Sequence, residues 1–125
     1  MQIFQVSKES GFQITKFNSD FVMSRIVKTE KPSHIGCVHL QAGGVIGYHQ
    51  AVVPQLLLVV SGAGEVCGED KVIHKVKTGD AVFWIKGEYH ETSTNGGLTA
   101  IIIESEVLEP ASFMTLKWDI QGDSQ

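Results

Sequence analysis

Gly43-Gly44-Val45-Ile46-Gly47-Tyr48-His49, then Gln55-Leu56-Leu57-Leu58-Val59-Val60, then Gly79-Asp80 and Tyr89-His90-Glu91-Thr92-Ser93-Thr94 are the segments whose reading decides the fold. After Gln55 the run to Val60 is wholly apolar. A strand covered on both faces has this pattern, and so has a short buried helix. Ser61-Gly62-Ala63-Gly64-Glu65 reads as a Gly-rich turn, and residues 65–70 as a hairpin. His49, Gln55 and His90 each stand beside strand-like sequence, which makes them the candidate site.

Working outward, residues 3–6, 12–17, 21–27 and 35–40 read as strands broken by turns, with Gly43-Gly44 turning the last of them. On the other side the strand signals are 72–76, 81–85 and 99–104, the last carrying Ala100, Ile101, Ile102 and Ile103. Beyond Pro110, residues 113–120 form a last strand or wrap the body, and 121–125 are expected to fray. No long window carries a 3.6-residue apolar stripe. Strands at short intervals, separated by 13 glycines, indicate an all-β antiparallel sandwich or barrel.

The 125 residues suffice for one domain, 1–125, with its own core. Ten Lys plus Arg against fourteen Asp plus Glu give a net charge of −4, with no basic cluster. No nucleic acid and no anionic membrane are therefore expected as partners. Cys37 and Cys67 lie far apart without CxxC spacing, and free thiols in a reducing cytosol are the expectation. No signal peptide and no membrane span are read, so the expected location is cytoplasmic.

The central half of the chain resembles the cupin superfamily. The family's first motif is Gly, five residues, His-x-His, three or four residues, Glu, six residues, Gly. Gly43, His49, Gln55 and Gly62 fall at those spacings (motif one, 43–62), with Ala51 at the second His and Gln55 at the Glu. The second motif is Gly, five residues, Pro-x-Gly, two residues, His, three residues, Asn. Gly79, Gly87 and His90 fit it (motif two, 79–94), with Ile85 for Pro and Thr94 for Asn. The resemblance implies a cupin-type double-stranded β-helix, a jelly-roll barrel. Residues 1–42 would add N-terminal strands that pair with a second subunit, giving a homodimer.

In the family a divalent metal is held by three His and one Glu. The resemblance therefore implies a Zn, Ni, Mn or Fe site on His49, Gln55 and His90, with a neutral amide where the family has a carboxylate. Gln at that position is similar to cupins that ketonise unsaturated uronates, which retain the second His that Ala51 replaces here. His39 offers a replacement ligand or substrate contact if its face points inward; the alternative is a core or rim histidine bonded to backbone. Trp84 and Tyr89 are candidates for stacking on a substrate at a pocket mouth, with core packing as the alternative for Trp84. The expected function is a small-molecule site in the barrel, with isomerase- or lyase-type chemistry on a sugar-like or other small polar substrate. Its rival is a metal-free binding module without catalysis. Nothing in the sequence names a catalytic base.

Overall fold

The structure, a computed structural model, describes residues 1–119. The fraying expected for 121–125 lies outside the described residues. The first six strands are β1 (Gln2–Gln5), β2 (Phe12–Ile14), β3 (Phe21–Met23), β4 (Ser33–Leu40), β5 (Val45–Gln50) and β6 (Gln55–Cys67). They are followed by β7 (His74–Lys77), β8 (Asp80–Trp84), β9 (Tyr89–Ser93), β10 (Leu98–Ser105) and β11 (Thr115–Asp119). The stretch after Pro110 thus does form a last strand, paired with β1.

All strand pairs are antiparallel. The main sheet runs β11-β1-β8-β6-β10-β4, while β6 also pairs with β7 and β9, and β9 with β5. One long strand, β6, therefore serves both walls of a jelly roll. Ser61 to Glu65, expected as a turn, lies inside it. The physical reason is a bulge: Thr99 faces Ser61 while Ala100 faces Val59, so Val60 is the extra residue. A bulge bends a strand instead of reversing it. Gly62 adopts φ +85° at the bend, and a Cβ there would lie 2.2 Å from the Gly97 carbonyl oxygen, so only glycine fits.

Alternation along the strands sorts the apolar residues into two cores. Ile3, Leu57, Val59, Val66, Val76, Val82, Trp84, Leu98 and Ala100 pack together inside the barrel, flanked by Val38 and Leu40. On the opposite face of the main sheet Phe4, Leu56, Phe83 and Ile103 pack under Leu108 and Met114, with Ile26 and Val27 alongside. That second layer explains why β6 reads as continuously apolar. Each fully buried side chain of this kind contributes about 1.5–3 kcal/mol of transfer free energy.

Of the strands expected in residues 1–42, β1 and β4 join the main sheet, while β2 and β3 pair only with each other. No helix among the described residues is long and apolar enough to cross a membrane.

Candidate functional site

The site is built where β5 meets β9. Ile46 faces Thr92 and His49 faces His90, so β5 carries one residue more than β9 over this span. The bulge falls on Gly47-Tyr48 and turns His49 to the same side as His90. Their ring centroids are 4.5 Å apart with 52° between planes. His90 is 1% exposed, whereas His49 is exposed to solvent.

Both imidazoles are fixed in the same way. His49 Nδ1 lies 2.7 Å from the Gly47 carbonyl oxygen, and His90 Nδ1 lies 3.2 Å from that of Glu88. A carbonyl only accepts, so Nδ1 donates in each, and Nε2 of the neutral ring keeps its lone pair. His90 Nε2 is buried without a hydrogen-bond partner. Burial holds the His90 imidazole below the ordinary histidine value; the Glu88 carbonyl opposes this, and the neighbouring His49 adds to it.

Trp84 is the floor under His90. Its ring stacks on the imidazole at 4.4 Å and 28°, and its Nε1–H donates to the Cys67 carbonyl at 3.1 Å. Wholly buried, Trp84 lies under the site and not at a mouth. Gln55 faces Trp84 across β6 and β8, is 6% exposed, and its amide has no hydrogen-bond partner among the described residues.

Two expected contacts sit elsewhere. His39 alternates with Val38 and Leu40, which face the barrel core, so its side chain is on the outer face of β4 and exposed. Tyr89 alternates with His90 and stacks on Tyr48 at 5.4 Å on the outer side of β5 and β9. Neither approaches the His49–His90 pair from within. Glu91 also points away from His90, as alternation requires. His74 is half-buried: its ring lies 5.6 Å from that of Trp118, and its Nε2 is buried without a partner.

Register brings in Glu104, which the sequence reading passed over, together with the exposed His34. Glu104 faces Gln55 on one side and His34 on the other. His34, Glu104, Gln55 and Trp84 therefore form one row across β4, β10, β6 and β8 on the inner face. Glu104 is near enough to act electrostatically on His90. Its carboxylate makes no hydrogen bond or ion pair among the described residues. The signal was available in β10, since Glu104 shares the parity of Leu98 and Ala100.

Whether a metal fits can be tested on the donors themselves. Two imidazoles with bare Nε2 atoms suit one, and the carbonyls behind their Nδ1 atoms are the usual second support. Yet no group of three or more His, Cys, Asp or Glu able to hold a metal ion exists among the described residues. Ala51 contributes no donor and Gln55 only a neutral one. Two imidazoles and a neutral amide, with neither the carboxylate nor the further His of the motif, are a poor set for a resident divalent metal.

No protein-family model matches the sequence, and no curated protein matches it significantly. Solved structures do. An RmlC-like cupin from Shewanella frigidimarina aligns over 60% of this chain and 67% of its own, with 21% identity and a TM-score of 0.56. A cupin-like protein from Thermotoga maritima covers 70% of this chain and 64% of its own, at 21% identity and a TM-score of 0.57. A cupin superfamily protein from Desulfitobacterium hafniense covers 62% and 69% respectively, at 13% identity and a TM-score of 0.55. With two walls sharing β6 and His49 facing His90 across β5 and β9, the chain has the double-stranded β-helix fold of these cupin structures.

Proposed function

We propose that the protein binds a small polar molecule at the open end of its barrel without a resident metal. The observation that carries this reading is the unpartnered, buried Nε2 of His90. Buried polar atoms are nearly always satisfied, and this orphan, on a ring stacked on the Trp84 that faces Gln55, is a place where a ligand's donor belongs. In this reading His90 Nε2 accepts a hydrogen bond from the ligand, Gln55 offers a donor and an acceptor, and exposed His49 closes the polar wall. Trp84 and the Glu88 carbonyl hold the His90 ring in place. The site is that of a binding module. Intracellular location and pairing with a second copy belong to the same proposal.

The second reading is a divalent-metal centre with isomerase- or lyase-type chemistry. Its support is the pair of Nε2 lone pairs on facing rings. The carboxylate and second His that Gln55 and Ala51 replace count against it.

The test is a thermal-shift and NMR screen of small polar compounds, run beside metal analysis by mass spectrometry on untagged protein. Hits that vanish in His90→Ala and weaken in His49→Ala, on protein free of metal, support the proposal. Hits unaffected by either substitution place binding elsewhere and overturn it. Near one equivalent of metal in the wild type, lost in both variants, would establish the second reading instead.

A further inference from the structure

A cavity of about 610 Å³ opens at the end of the row that leads to His90. Its apolar wall is Pro32, Val52 and Val53; its polar wall includes His34, Glu104 and Glu106. Lys31 also borders it, but makes no ion pair with either glutamate among the described residues. Glu104 and His34 are register partners on the inner face, and Glu104's other partner is Gln55. The cavity wall thus adjoins the barrel site through the Glu104–Gln55 register pair.

The charges in this cavity do not cancel. Two carboxylates stand against one ammonium, and Glu104 is half-buried, where a carboxylate loses hydration without gaining a partner. An anionic ligand would bring a third negative charge to this wall. A cation satisfies it, and a charge-assisted hydrogen bond to a carboxylate is about twice as strong as a neutral one. Val52, Val53 and Pro32 supply apolar surface beside the charge, in a volume that suits a small molecule.

We propose that this cavity takes a small ligand with an ammonium group next to an apolar body, and that Glu104 sets the preference for positive charge. The inference rests on reading this end of the barrel as a ligand site, and it narrows the sugar-like or other small polar substrate that the sequence suggests to one ligand class, amines. Glu104 receives the ammonium, the valines and Pro32 cover the apolar part, and any further polar group of the ligand extends along Gln55 toward His90.

The test uses three probes of matched shape: cyclohexylamine, cyclohexanol and cyclohexanecarboxylate, titrated into isotope-labelled protein and followed by amide chemical shifts. Cyclohexylamine should perturb Val52, Val53 and Glu104, bind about tenfold more tightly than cyclohexanol, and leave cyclohexanecarboxylate without measurable binding. Glu104→Gln, which keeps size and removes charge, should bring the amine down to the level of the alcohol, while Glu9→Gln in an exposed turn should not. Binding of the carboxylate as tight as that of the amine overturns the inference. So does amine binding unchanged in Glu104→Gln, or no perturbation by any probe at millimolar concentration. The wild-type charge series decides the matter even if Glu104→Gln fails to fold. His90→Ala separates the two readings. Amine binding lost in Glu104→Gln but kept in His90→Ala upholds the cavity and counts against the role of His90; loss in both upholds the cavity and makes it one site with the barrel.

Discussion

The indole of Trp84 lies stacked on the imidazole of His90, 4.4 Å between centroids, and the two rings fill the inner end of the barrel site together. The stack leaves His90 1% exposed and favours its neutral form. Its pKa in the folded protein is below the ordinary 6.5, chiefly because of burial. Above pH 6.5 both folded and unfolded states carry neutral His90, and its contribution to stability is fully present. As pH falls below 6.5 the unfolded chain takes up the proton first, so stability declines until the lowered folded value is passed. Urea unfolding of the wild type should therefore lose more stability on acidification than His90→Gln does. Equal pH dependence in the two proteins would show that His90 is not held neutral.

Glu88 ties the His90 loop to the start of β1. Its Oε2 accepts from the Met1 ammonium at 2.9 Å with both groups buried, and its Oε1 accepts from the Ile85 backbone N–H at 3.0 Å. Its own carbonyl fixes His90 Nδ1. Truncation strands a buried ammonium and an amide donor, a loss on the order of 3–5 kcal/mol. Glu88→Ala should lower the urea midpoint accordingly and broaden the His90 ring resonances as its loop loosens. A midpoint within error of wild type would mean that water replaces the carboxylate there.

The strands at the centre of the chain were legible because β-branched and aliphatic runs between glycines have few other uses. Residues 55–60 even announced their two covered faces. His49 and His90 stood out through the motif resemblance, and the pairing of β5 with β9 sets them opposite each other. What the sequence hid depends on register. Ser61 to Glu65 looks like a turn because two glycines in five residues usually make one, and only the pairing of β6 with β10 shows a bulged, continuous strand. His34 and Glu104 lie 70 residues apart and become neighbours only when β4 and β10 align. Tyr89 and His39 were attractive as residue types, yet alternation from His90 and Val38 sends both outward. That much could have been read once the inner face of each strand was known.

Two glycines at corresponding ends of the first motif should respond differently to alanine. Gly43 has φ +82° with nothing within 4 Å of the position an added methyl would take, so Gly43→Ala meets only the left-handed backbone penalty, about 1–2 kcal/mol. Gly62 has φ +85° and backbone atoms of Gly97 and Leu98 in the way, so Gly62→Ala also forces β6 away from β10. Its cost should exceed about 3 kcal/mol. Chemical denaturation of the two variants measures the difference; equal losses would mean that the bend in β6 can relax.

The β2–β3 pair presents an apolar face to solvent. Phe12 lies opposite Met23 and Ile14 opposite Phe21, so the four side chains share one side of the hairpin. Phe12 is 62% exposed, Phe21 and Met23 each 45%, and Phe17 in the connecting segment 95%. A contiguous apolar face of this kind usually meets a partner. The expected partner is a second copy of the chain, with β4, open along one edge, as the adjoining surface. Sedimentation velocity should therefore give a dimer at micromolar concentration, and the double variant Phe12→Glu, Phe21→Glu should give a folded monomer. Because neither residue belongs to the two buried cores, the variant's unfolding midpoint should fall only by the amount the dimer contributes, and should no longer depend on protein concentration. A wild type that sediments as a monomer would end the homodimer reading and leave the hairpin face to some other partner.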